Sequence, residues 1–302
     1  MKTIKVPQPT DEEAVAELVR AGDARFEAAL DALSEEIMGA REVRLLGLTG
    51  PTCSGKTTAA AMLTRSLGAA GRAVHVISID DFYFSKESLL RSSRERGRTA
   101  PDYDSPDTID LDLLRACTVS LLMGRETRMP RFDFRTGQRE CGELLRPNAK
   151  DLFLFEGIQI LYPQVDALLR QEGYFNFCVC PQTAIETGGE VFLPNEIRLM
   201  RRLVRDGIYR AAAPAFTFSV WDGVRANEEK NIFPYIATCN RTVDSTMPYE
   251  IGLLRPYLER CLTADGVGDY QREAGEILTK LRSVRPVSDR YIRADSLYKE
   301  FI

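Results

Sequence analysis

The stretch Gly50-Pro51-Thr52-Cys53-Ser54-Gly55-Lys56-Thr57 constrains this chain more than any other feature. It fits G-x-x-x-x-G-K-S/T and falls between a short apolar run, Arg44 to Thr49, and an Ala-rich helical stretch from Lys56 to about Leu67. A strand that feeds a glycine-rich turn into a helix gathers backbone N–H groups and the positive end of the helix dipole around one point. That arrangement is a site for phosphate groups. The glycines permit close approach, Lys56 adds charge, and the Thr57 hydroxyl is suited to holding Mg²⁺. Residues 50 to 57, extended to Thr58, form the expected phosphate cradle.

The surrounding pattern alternates strand and helix. Gly68 to Gly71 ends the first helix, and Ala73 to Ile79 reads as a second, buried strand closing on Asp80-Asp81. Leu152 to Phe155 and Phe175 to Cys180 read as further strands, and Met129 to Phe134 with Arg139 to Leu144 as a hairpin. Helices are expected over Leu111 to Met123, Asn195 to Ala211, Tyr249 to Cys261 and Asp269 to Ser283. Strands and helices at this spacing, with the glycine-rich turn between them, predict an α/β fold of the P-loop nucleoside triphosphate hydrolase class: a parallel sheet flanked by helices. Residues 1 to 40 read as an N-terminal helical extension broken at Gly22-Asp23. Residues 41 to 262 read as the P-loop domain, and 263 to 302 as a helix with a docked tail.

Composition removes several function classes. A formal charge of -4 argues against a general nucleic-acid binder. No stretch approaches the roughly 18 apolar residues of a membrane span, and residues 1 to 14 lack the apolar core of a signal peptide, so a cytoplasmic protein without membrane contact is expected. The seven cysteines are scattered, which fits reduced core thiols. With His75 the only histidine, any general base must be a carboxylate, lysine, cysteine or tyrosine.

Two acidic elements follow strands, where ligands bind in open α/β sheets. Glu156, ending FLFEGI, reads as a contact for the metal or its waters, or else as a carboxylate at a helix start. Asp80 and Asp81 point in different directions, so one can accept a proton from an acceptor hydroxyl while the other caps the next segment. Arg198, Arg201, Arg202 and Arg205 recur at helical i, i+3, i+4 and i+7 spacing. They form either a solvated face or a lid that brings guanidinium groups to phosphates. Phe132 and Phe134 share one side of the hairpin, as pocket wall or as core, and the same two readings hold for Trp221.

The motifs GPTCSGKTT, SIDDFY, DYDSPDTIDLDLL, MPRFDFRTGQR, FEGI and RLMRRLVRD, spread over about residues 43 to 255, resemble the uridine kinase and phosphoribulokinase family, in particular its uridine kinase-like branch. The resemblance implies an ATP- and Mg²⁺-dependent small-molecule kinase that favours a nucleoside over a sugar phosphate or other alcohol, in a homo-oligomeric assembly, with a lid over about residues 195 to 230 and a β-hairpin acceptor element. It implies Asp80 as the base, Tyr83 as a wall of the acceptor pocket, Asp104 on the acceptor hydroxyls, and Phe132 and Phe134 against a base. It implies Arg198 and Arg210 toward the acceptor and Arg201 and Arg205 toward the nucleotide. The hairpin turn Arg135-Thr136-Gly137-Gln138 lacks the histidine typical of uridine kinases.

Overall fold

A computed structural model describes residues 2–95, 97, 105–171 and 173–302. The strands are β1 (Lys2–Lys5), β2 (Leu45–Thr49), β3 (Val74–Ser78), β4 (Thr127–Asp133), β5 (Gln138–Leu145), β6 (Leu152–Glu156), β7 (Tyr174–Cys180), β8 (Thr183–Thr187), β9 (Glu190–Phe192) and β10 (Arg241–Asp244). The helices are α1 (Glu12–Gly39), α2 (Lys56–Ala69), α3 (Lys86–Glu95), α4 (Leu111–Leu122), α5 (Pro163–Leu169), α6 (Pro194–Tyr209), α7 (Pro214–Asn231), α8 (Glu250–Cys261), α9 (Ala264–Val267) and α10 (Gln271–Leu281).

The main sheet has the order β10-β7-β2-β6-β3, with every neighbouring pair parallel. Its three middle strands are nearly continuous apolar runs, as burial on both faces requires. One apolar cluster joins α1, α2, α6 and α8 to one face of the sheet, and a second joins α4, α5 and the hairpin β4-β5 to the other. The expected α/β fold is therefore observed. A small side sheet of β1, β8 and β9 adds to it. No helix among the described residues is long and apolar enough to cross a membrane.

Three expectations need correction. Gly22-Asp23 does not break the first helix: α1 runs unbroken for 28 residues. Glycine is required there by close approach, because a Cβ would lie 2.8 Å from the Tyr249 ring, and Asp23 accepts a 2.5 Å hydrogen bond from the Tyr249 hydroxyl. Second, β3 is an edge strand, so Val76 is 49% exposed and His75 is only partly covered, 2.9 Å from Asp151. Third, the segment expected as a lid begins with α6, a core helix that buries Ile197, Met200, Leu203 and Val204.

Candidate active site

Register places the chemistry. Leu48 of β2 and Ser78 of β3 both pair with Glu156, the last residue of β6. The turn after β2 carries the glycine-rich loop and the turn after β3 carries Asp80, so the two emerge from the same sheet edge on either side of Glu156. With strands spaced by ~4.8 Å, the loop and Asp80 stand ~10 Å apart, room for the terminal phosphates of a nucleotide.

The loop turns into α2 at Gly55, whose left-handed conformation (φ 92°) forms the N-cap. Cys53 is also left-handed (φ 55°) and buried, and burial pushes its thiol up from the ordinary range. Lys56 folds along the loop and donates to the carbonyls of Gly50 (2.8 Å) and Pro51 (3.2 Å). Thr57 is exposed toward the same space. The closing segment of the chain packs on this loop: a Cβ at Gly55 would collide with Leu297, and Glu300 accepts from the backbone N–H (3.4 Å) and hydroxyl (3.2 Å) of Thr58.

The two adjacent acids have separate tasks. Asp81 Oδ1 accepts from the backbone N–H of Phe132 at 2.9 Å, which anchors the hairpin, and burial raises its pKa above the usual carboxylate range. Asp80 faces the cavity and accepts 2.7 Å from Nε2 of Gln159. Burial likewise raises Glu156, an effect that Lys56 opposes and Asp80 reinforces.

The arginine stripe divides. Arg198 and Arg201, expected at the acceptor and the nucleotide, are 1% and 0% exposed and do not line the cavity. Arg198 pairs with Glu228 and donates to the Thr52 carbonyl at 2.9 Å, while Glu228 accepts from the Thr52 N–H. Arg201 pairs with Glu250 at 2.8 Å and donates to the carbonyls of Ser245 (2.7 Å) and Cys53 (3.3 Å). Both brace the loop from behind, because their side of α6 faces protein. Arg202, Arg205 and Arg210 do reach the cavity, where all three guanidinium groups lie against the buried carboxylate of Asp206.

The aromatics also divide. Phe134 is 62% exposed and lines the cavity beside Tyr83, whereas Phe132 is buried beneath them. The three rings meet edge to face, with centroids 5.0 to 6.1 Å apart. Asp104 lies outside the described residues.

These groups share a cavity of about 740 Å³. A larger one, about 860 Å³, lies beyond α6 between α7 and α10, with Trp221 in its wall, and contains no residue of the glycine-rich loop. The glycine-rich loop, Asp80 and Glu156 therefore meet in the smaller cavity. Sequence reasoning missed Glu300 and Gln159. Neither belongs to a motif, and each reaches the site from a distant turn, 242 and 79 residues from its partner.

Against known proteins, the model of the Phosphoribulokinase / Uridine kinase family matches residues 45–244. A uridine kinase of Yersinia enterocolitica is 30% identical over 65% of this chain and 80% of its own length. A chloroplastic uridine/cytidine kinase of Arabidopsis thaliana is 28% identical over 55% of this chain, which spans only 30% of that relative's length. A solved structure described as a possible uridine kinase from Bacillus stearothermophilus is 17% identical, with a TM-score of 0.46, over 71% of this chain and 97% of its own.

Proposed function

The chain belongs to the phosphoribulokinase / uridine kinase family, and from that premise we propose that it transfers the γ-phosphoryl group of ATP to a primary hydroxyl of a small molecule, with a nucleoside as the favoured acceptor. The observation that carries this reading is the meeting of Lys56, Thr57, Asp80 and Glu156 with Tyr83 and Phe134 in one cavity.

The loop binds the triphosphate through backbone N–H groups and Lys56. Arg202, Arg205 and Arg210 supply positive charge beyond what Asp206 neutralises, suited to the charge that spreads over the phosphoryl oxygens during transfer. Asp80 takes the proton of the acceptor hydroxyl as that oxygen bonds to phosphorus and ADP departs. Phe134 and Tyr83 offer apolar ring surface to a base or sugar. The hydroxyl of Thr57 and the carboxylate of Glu156 are hard oxygen donors that fit Mg²⁺, which when bound would offset phosphate charge.

A second reading is an acceptor that already carries a phosphate, and the three-arginine cluster is the feature that favours it. ADP release from ATP and Mg²⁺, measured with a panel of nucleosides, sugars and sugar phosphates, separates the two. Stimulation by uridine or cytidine supports the first reading, stimulation by sugar phosphates alone selects the second, and nucleotide binding without turnover on any acceptor would replace both with a binding module. Asp80→Asn should lower kcat by about 10² to 10⁴ while ATP binding stays near normal.

A further inference from the structure

We propose that Gln159 is a positioning residue for the transfer: it fixes one oxygen of the Asp80 carboxylate and the Tyr83 hydroxyl in a single frame, leaving the other Asp80 oxygen for the acceptor. The inference rests on the reading of Asp80 as the base.

Gln159 is 0% exposed, on the turn Ile158–Leu161 that follows β6. Its Nε2 donates 2.7 Å to Asp80 Oδ1 and 2.6 Å to the Tyr83 hydroxyl, so both amide hydrogens are used. The opposite amide orientation would set the carbonyl oxygen against a carboxylate, two acceptors facing each other, so the partners fix which end is the donor.

The remaining atom shows that this orientation is imposed. Oε1 of Gln159 is buried and has no hydrogen-bond partner among the described residues. An orphaned buried acceptor is unfavourable and uncommon in native structures. It lies 2.6 Å from where a Cβ on residue 157 would stand, so only glycine at that position leaves room for the amide. The turn therefore commits both amide hydrogens to Asp80 and Tyr83, with the amide oxygen unpartnered among the described residues.

The consequence for transfer is geometric. As the acceptor oxygen bonds to the γ-phosphorus, the bond to the β,γ-bridging oxygen breaks, ADP leaves with that electron pair, and the acceptor proton passes to Asp80. With Oδ1 held by Gln159, Oδ2 is the oxygen that receives it. The end of β6 thus serves both sides of the reaction: Glu156 faces the phosphate side, and Gln159, three residues later, holds the base.

The test compares the parent, Gln159→Met, Asp80→Asn and the double variant at saturating ATP, with the acceptor from the panel above that the parent turns over fastest. Methionine keeps the volume and cannot donate. The expected result is a kcat about ten- to hundredfold below the parent, the loss of a hydrogen bond to a charged group, with the KM for ATP within twofold. In the Asp80→Asn background the same substitution should cost nothing further, since the residue acts through Asp80. A kcat within twofold of the parent, or an equal loss in both backgrounds, overturns the proposal. Gln159→Glu is the second variant: it keeps the shape but sets a carboxylate against Asp80, and undiminished kcat there would be equally fatal. Full activity in Asp80→Asn alone removes the base and this inference together. A parent that turns over no acceptor removes the kinase reading and this one with it.

Discussion

The carboxylate of Glu300 takes the backbone N–H and the hydroxyl of Thr58, in the first turn of α2. That N–H belongs to the helix start that the loop presents to phosphate, so the chain sets one of its own anions at the edge of its anion cradle. The contact is held in place by neighbours: Leu297 packs on Gly55, and Tyr298 and Phe301 are fully buried with Arg201 over both rings at 5.4 and 5.1 Å. A nucleotide entering the loop must therefore displace or tolerate a like charge. Charges about 4 Å apart repel by about 1 kcal/mol in water and more where water is partly excluded. Glu300→Gln is expected to lower the ATP dissociation constant by about three- to tenfold in calorimetric titration. Weaker binding by the variant would mean that the carboxylate assists the nucleotide.

Arg201 and Arg205 stand one helical turn apart on α6, in opposite surroundings. Arg201 is a fully buried partner of Glu250, so Arg201→Met strands a carboxylate in the interior and should cost about 3 to 5 kcal/mol of stability. Arg205 lines the cavity, and Arg205→Met should leave the urea midpoint nearly unchanged while kcat falls by tenfold or more. Urea titration and turnover on the two variants decide the matter. Equal midpoints would place Arg201 at the phosphates after all.

The same helix shows where sequence stops being informative. The i, i+3, i+4, i+7 spacing identified the stripe. Whether that face met water or protein depended on Glu228 and Glu250, 30 and 49 residues from their partners. Long-range partners also explain Gly22, which reads locally as a helix break and serves as the close approach to Tyr249. The loop was legible as a spaced motif, and β2, β6 and β7 because each is a nearly continuous apolar run between turn residues. The short strands β1, β8 and β10 were not: in β10 only Val243 is buried, so no periodicity separates the strand from a polar loop. Gln159 was invisible for a related reason, since one amide in an apolar turn carries no pattern until Asp80 and Tyr83 are beside it.

Asp81 should leave a signature in the pH dependence of stability. Its carboxyl is raised above the usual value by burial, with the Phe132 N–H opposing and Asp80 adding to the shift. A raised acid binds its proton more tightly in the folded state, so its contribution to stability is fully present below its ordinary pKa of 3.8 and is lost as pH rises through the raised value. Asp81→Asn keeps an acceptor for the Phe132 N–H and removes the titration. The urea midpoint of the variant relative to the parent should therefore be higher at pH 7 than at pH 4. A difference that shrinks with rising pH contradicts the assignment.

Phe132 and Phe134 provide the sharpest separation of packing from recognition. They stand two residues apart on β4 and the turn after it, with centroids 5.0 Å apart, yet one is buried and the other is 62% exposed. Phe132→Ala removes a ring packed under Tyr83 beside the hairpin anchor at Asp81, and the expected loss is about 3 to 5 kcal/mol. Phe134→Ala removes a ring that lines the cavity, so stability should change by less than about 1 kcal/mol. If that ring meets the acceptor, the KM for the acceptor should rise about tenfold with the KM for ATP unchanged, as expected when one aromatic contact is lost. Both constants come from the same ADP-release assay. If Phe134→Ala shifts the ATP constant and spares the acceptor, the ring belongs to the nucleotide side, and the acceptor must enter past Tyr83 alone.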